Sequence, residues 1–366
     1  MRRRRKESKM KFIGLTVFGI LLSPVVASGV IRGLTGIESV AGMLSEITVG
    51  GSESETEKIT DYSTNMISFG FGWNEETVTK SISLSNDKGP IPYPEITDVK
   101  SGNVIPQTYG KCSGKQFFDL DDFGQVRNCT DESMNVLLAQ SRMKPEFSIT
   151  LNNSQPQVLI MHTHTTESFE PFEREYYDAS FSYRSSDESM NVVAVGEEIR
   201  QQIEKHGISV IHDSTIHDYP SYNGSYDRSA ETVKAILQKN PDIKVVLDIH
   251  RDAIASDGDL IAPVIEIENK KAAQIMIISG CDDGTMNMPD YLKNFRLACL
   301  FQQQIEKDNP GLTRPILFDY RNYNQDLTTG SLLIEIGSHG NSIDQVKYSG
   351  ELIGNSIGKA LQGLTG

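Results

Sequence analysis

In the second half of the chain, short apolar runs alternate with longer stretches whose apolar residues recur every three or four positions. Residues 158–165 (VLIMHTHT) are too short for a helix and begin with β-formers, so they read as a strand. Residues 190–206 place Met190, Val193, Val195, Ile199 and Ile203 close to a helical stripe, and Gly207 ends it. Residues 208–213 predict a second strand, and 229–240 a helix stopped by Pro241. Residues 244–250 and 274–280 predict further strands, and 290–308 a helix closed by Asn309-Pro310-Gly311. A final strand at 332–337 and a closing helix at 343–361 complete the pattern. The tract 260–268 is expected to pair as an antiparallel hairpin with 274–280. Strands alternating with helices predict an α/β fold, a mainly parallel sheet with helices on both faces, over residues 151–366.

The first half is organised differently. Residues 12–31 (FIGLTVFGILLSPVVASGVI) carry no charge and are long enough to span a bilayer as a helix. Residues 1–11 form a basic tip with Arg2, Arg3, Arg4, Arg5, Lys6, Lys9 and Lys11, which places the N-terminus on the cytoplasmic side. The rival reading is a cleaved signal peptide ending near Ala27-Ser28-Gly29. Both export everything that follows. Residues 32–150 lack a sustained period and read as a stalk or small membrane-proximal region, with a polar, acidic spacer at 50–64.

Charge narrows the function classes. The 366 residues carry 35 Lys+Arg and 49 Asp+Glu, a formal net charge of -14. That excludes a protein that holds nucleic acid by its phosphates. Four cysteines are too few for a disulfide-built scaffold. In an exported chain Cys112 and Cys129 could close a loop, whereas Cys281 and Cys299 read as small buried apolar groups.

Chemistry collects at three strand ends, where open α/β sheets bind ligands. The first carries His162, His164 and Glu167, the second Asp248, His250, Arg251 and Asp252, and the third Glu335. Imidazoles with a carboxylate suit Zn²⁺, and a catalytic zinc keeps one position open for water. His164, Glu167 and His250 make one ligand set, with Glu335 as the proton-transferring carboxylate. A ligand pair of His162 and His164 is a rival, because both fall on one side if the chain stays extended; His162 could equally support a ligand from behind or touch the substrate. Glu188, ahead of the 190–206 helix, competes with Glu167. Arg251 either pairs with Asp248 or Asp252 or binds a substrate carboxylate. His206, His212, His217 and His339 read as surface or loop residues. The aromatic-rich stretch 213–228, with Tyr219, Tyr222 and Tyr226, reads as a loop able to line a sugar or peptide groove.

VLIMHTHTTESFEP (158–171), VVLDIHRDA (245–253), YNQDL (323–327) and LLIEIGSHGNS (332–342) together resemble the stage II sporulation protein P family. The resemblance implies an exported, membrane-anchored peptidoglycan hydrolase acting in engulfment, facing the septal or intermembrane wall, alongside sporulation proteins D and M. It also implies kinship with the zinc N-acetylmuramoyl-L-alanine amidases. Their catalytic Glu-x-Gly element is matched by Glu335-Ile336-Gly337, and their two zinc histidines by His164 (or His162) and His250. The implied reaction is cleavage of the amide between muramic acid and L-alanine, with stem-peptide cross-links as a further target. Two other readings share these residues: a zinc endopeptidase confined to cross-links, and a non-catalytic wall-binding scaffold.

Overall fold

The computed structural model describes residues 91–366. The basic tip at 1–11, the apolar segment at 12–31 and the acidic spacer lie outside them. Among the described residues no helix is long and apolar enough to cross a membrane.

The main sheet has eight strands: β2 (Phe117–Asp119), β3 (Gln125–Asn128), β4 (Val158–Met161), β6 (Val210–His212), β7 (Val245–Asp252), β11 (Ile275–Cys281), β12 (Ile316–Tyr320) and β13 (Ser331–Ser338). Their spatial order is β2-β3-β12-β11-β13-β7-β4-β6. Neighbours run parallel except at β2/β3 and β11/β13. The sheet is therefore mixed, with its parallel half around β13, β7, β4 and β6. A second sheet combines β1 (Gly102–Gln107), β5 (Tyr176–Tyr177), β8 (Ala255–Ser256), β9 (Asp259–Ile267) and β10 (Lys270–Ala273).

Three expectations are corrected. The boundary at residue 151 falls inside the fold, because β3 pairs with β12 and β1 pairs with β9. β1 carries Gly102 and Pro106 and β3 is only four residues long, which hid them in the sequence. The hairpin partner of β9 is β10, not the 274–280 run; β11 instead lies between β12 and β13. Cys112 and Cys129 are free thiols.

Alternation along the strands sorts residues onto two faces. Val158, Ile160, Val245, Leu247, Ile249, Ile275, Ile277, Leu332, Ile334 and Ile336 share one core. It is covered by the helices α2 (Val192–Lys205), α4 (Tyr291–Asp308) and α5 (Ile343–Gln362), with α1 (Met134–Ser141) packed on α4. Leu159, Met161 and Val246 face the other way, under Val233 and Ile236 of α3 (Ser225–Lys239). Met276, Ile278, Leu317 and Leu333 form a smaller cluster on that second face. One face is thus sealed by three long helices, while the other carries one.

The end of β13 is shaped by Gly337. The β13/β7 register shifts between Glu335 and Ser338, and Gly337 has φ +62°. A Cβ there would fall 2.6 Å from Asn341 Oδ1 and 2.8 Å from Ala273 Cβ. Only glycine fits a bulge that is both left-handed and this crowded. Gly337→Ala is expected to cost about 2 kcal/mol. A thermal melt should show a drop of roughly 4–8 °C; an unchanged melting temperature would show that the bulge relaxes freely.

Candidate functional site

β4 stops at Met161, and residues 163–166 turn so that the Glu167 amide donates to the His164 carbonyl at 3.0 Å. This one-turn spacing sets the His164 and Glu167 side chains at the carboxyl edge of the sheet, beside β7. From β7, His250 approaches both: its ring centre lies 5.1 Å from that of His164, edge-on, and its Nδ1 lies 3.5 Å from Glu167 Oε2. The Arg251 amide donates to the same Glu167 oxygen at 3.2 Å. All three side chains are buried.

Glu335 stands beside His250 on the neighbouring strand, the two Cα atoms paired in register. The residue is partly exposed, yet its Oε2 is buried and makes no hydrogen bond among the described residues. Burial and the nearby Asp252 push its carboxyl up to about 8. Asp252 is itself held by Arg314 at 2.8 Å.

The electrostatics separate the two imidazoles. Burial lowers the His164 pKa well below the usual range, so its ring is neutral. Burial also opposes charge on His250, but Asp248 and then Glu167 outweigh it and raise its pKa well above the usual value. Glu167 is held well below the carboxylate range: burial alone would raise it, and His250 and Arg251 overcome that. His164 meets hydroxyls on both nitrogens, with Tyr222 at 2.9 Å from Nε2 and Ser225 at 3.3 Å from Nδ1.

These spacings bear on a metal. Two imidazoles on one tetrahedral zinc put their ring centres roughly 5.2 Å apart, and a nitrogen–oxygen ligand edge spans roughly 3.4 Å. The His164–His250 and His250–Glu167 separations match those values, and the donor types suit zinc. Among the described residues, however, no three His, Cys, Asp or Glu side chains are gathered as a ready metal-holding group. To offer a nitrogen to a metal, His164 would have to turn it away from Tyr222 or Ser225.

The other candidates lie elsewhere. His162 keeps the parity of Val158 and Ile160 and points under α2, with Nδ1 2.9 Å from the Ile249 carbonyl and Nε2 2.9 Å from His212 Nε2. Gly196 of α2 leaves room for that pair, since a Cβ would fall 2.6 Å from His212 Nε2. The chain does not stay extended after β4, which is why His162 and His164 part company. Glu188 is exposed in the turn before α2. Arg251 neither pairs with Asp248 nor stands free for a substrate: its Nε donates to the Ser168 carbonyl at 2.9 Å and its Nη2 to the Tyr183 carbonyl at 3.0 Å. It clamps the segment that carries Glu167. His217 and His339 are buried rather than superficial.

Tyr222 and Tyr226, expected on a groove-lining loop, do stand beside the histidines, while Ser225, Arg184 and Tyr323 join them without a signal of their own. α3 begins at Ser225, four residues before the apolar stripe suggests, so Tyr226 sits in its first turn. The Tyr226 ring lies parallel to His250 at 6.5 Å and stacks on Tyr323 at 5.2 Å. Tyr222 stacks on His164 at 4.3 Å and carries the Arg184 guanidinium over its ring at 4.6 Å. The dense tyrosine content of 213–228 was the available signal. A cavity of about 690 Å³ opens beside β1 and β9, lined among others by Val104, Arg174, Ala262 and Gln345, and none of His164, Glu167, His250 or Glu335 lines it.

Comparison with known proteins adds ancestry to this geometry. The chain is 30% identical over 203 residues to stage II sporulation protein P of Bacillus subtilis (strain 168), covering 52% of this chain and 47% of that relative. It thus matches about half of that relative's length. Among solved structures it is similar to the N-acetylmuramoyl-L-alanine amidase AmiC2 of Nostoc punctiforme, at 11% identity over 57% of this chain and 96% of that one, with a TM-score of 0.33. It is also similar to the CwlD amidase from Clostridioides difficile, solved with the GerS lipoprotein, at 16% identity over 57% and 98%, with a TM-score of 0.33. A family model described as Stage II sporulation protein P (SpoIIP) matches residues 107–358, which hold all four motifs and every residue of the site, and the chain belongs to that family.

Proposed function

We propose that the protein is a zinc-dependent peptidoglycan hydrolase that cleaves the amide between the lactyl group of muramic acid and L-alanine during sporulation. The observation that carries this reading is the convergence of His164, Glu167 and His250 at one sheet edge, with Glu335 paired to His250 across β13 and β7. Membership of the stage II sporulation protein P family supports the role in sporulation; the cell wall as substrate and sporulation proteins D and M as partners are what the resemblance implies. An anchor at 12–31 would hold the domain against that wall outside the cytoplasm.

His164, Glu167 and His250 would hold the zinc, which supplies Lewis acidity for the scissile carbonyl and lowers the pKa of water to roughly 7. The remaining work falls to this chain's own residues. Glu335 accepts the proton of the attacking water and returns it to the departing nitrogen. A carboxyl raised to about 8 lies close enough to neutral pH for its deprotonated fraction to take the proton and for the acid form to give it up again. Arg251 fixes the backbone around Glu167, so the carboxylate keeps its direction. Tyr222, Tyr226 and Tyr323 offer aromatic surface next to His164 and His250 for a sugar ring or peptide.

Two outcomes are expected with the full chain and purified peptidoglycan. Zinc-loaded protein should release stem peptides with a new L-alanine amino terminus, detected by mass spectrometry, and a chelator should stop it; cross-link cleavage alone would make it an endopeptidase instead. Glu335→Gln should lower kcat by roughly 10²–10⁴-fold while zinc content and melting temperature stay at wild-type values. A wild-type rate in that variant removes Glu335 from the proton transfer.

A further inference from the structure

Asp248 touches both segments that carry the proposed ligands. Its Oδ1 lies 2.8 Å from His250 Nε2 and accepts the Thr163 amide at 2.8 Å, and its Oδ2 accepts the Thr163 hydroxyl at 2.7 Å. Thr163 is the first residue of the turn that presents His164 and Glu167. The approach of His250 is close but off the straight N–H···O line, so its hold is ionic more than that of a linear hydrogen bond. The network continues outward. Thr163 Oγ1 lies 2.9 Å from Ser229 Oγ on α3, and Asn324 Nδ2 donates to the same Ser229 oxygen at 3.0 Å and to the Tyr226 carbonyl at 2.9 Å. Asn324 belongs to the Tyr323-Asn324-Gln325 stretch, whose first two residues have positive φ, 46° and 57°. Gln325 fastens that stretch to β11, accepting the Gly280 amide at 2.9 Å and donating to the Ile278 carbonyl at 3.1 Å.

We propose that Asp248, backed by Thr163, Ser229 and Asn324, is the positioning residue of the metal site: it draws Nε2 of His250 to itself and so presents Nδ1 on the side of Glu167 as the binding nitrogen. In this orientation Nδ1 faces Glu167 Oε2 at 3.5 Å while Nε2 meets Asp248 Oδ1 at 2.8 Å. A carboxylate on the far nitrogen of a ligating histidine fixes the ring and makes it a better donor. This assigns a purpose to the YNQDL segment, which holds no proposed ligand yet reaches the site through Asn324. The inference rests on the zinc reading given above, and its test separates the two.

Zinc affinity of the full chain is measured by competition with a chromophoric chelator for wild type, Asp248→Asn and Asn324→Ala. Asp248→Asn should bind zinc roughly 10–100-fold more weakly. Asn324→Ala, at the outer end of the network, should weaken it by a smaller factor and keeps the test alive if Asp248→Asn fails to fold. Nitrogen-15 NMR of the zinc-loaded wild type should find the metal on Nδ1 of His250 and a retained proton on Nε2. Zinc on Nε2, or unchanged affinity in both folded variants, overturns the positioning role and leaves zinc binding intact. A wild type that binds no zinc overturns the zinc reading and this inference together.

Discussion

The parallel register between β7 and β13 is the constraint on which the site depends. It places Glu335 next to His250 by main-chain pairing alone, before any side-chain contact is made. Parity then decides which face they share. Leu247, Ile249, Ile334 and Ile336 go to the face sealed by three helices, so Asp248, His250 and Glu335 are sent to the opposite one. A one-residue slip of either strand would bury an acid or imidazole among aliphatic side chains and expose Leu or Ile in its place. The apolar core and the polar site are two sides of one alternation.

Concentrating this much charge at a buried edge is costly unless each group has a partner. His250 lies between Asp248 and Glu167, Arg184 meets Asp218 at 2.8 Å, and Arg251 spends donors on the carbonyls of Ser168, next to Glu167, and of Tyr183. Glu335 stands apart, with a buried oxygen that no described residue satisfies and a carboxyl pushed toward neutrality. A carboxyl with a buried, unbonded oxygen and a pKa raised to about 8 is suited to exchanging protons with a substrate.

The sequence made some of this plain and concealed the rest for physical reasons. VVLDIHRD and SLLIEIGS alternate apolar and functional residues, so the common face of Asp248, His250 and Glu335 could be read directly. In VLIM all four residues are apolar, both faces being covered, and parity could not be read there. The strand pattern therefore does not separate His162 from His164; the turn at 163–166 does. Arg251 misled because its partners are backbone carbonyls, which leave no trace in composition. The strands at 102–107 and 125–128 escaped because their residues pair with β9 and β12, far away in the chain, without a local pattern of their own. α3 extended four residues beyond its apolar stripe because its first turn is devoted to Ser225 and Tyr226, which face the site rather than the core.

The central claim is that one metal ion sits among His164, Glu167 and His250 with Glu335 beside it. Anomalous diffraction at the zinc edge from crystals soaked in zinc tests it most directly. A single strong peak within bonding distance of His164, Glu167 and His250, with His164 turned from Tyr222 or Ser225, is the predicted result. No peak at that edge, or zinc bound only by residues elsewhere such as Glu188 or His162, would contradict it.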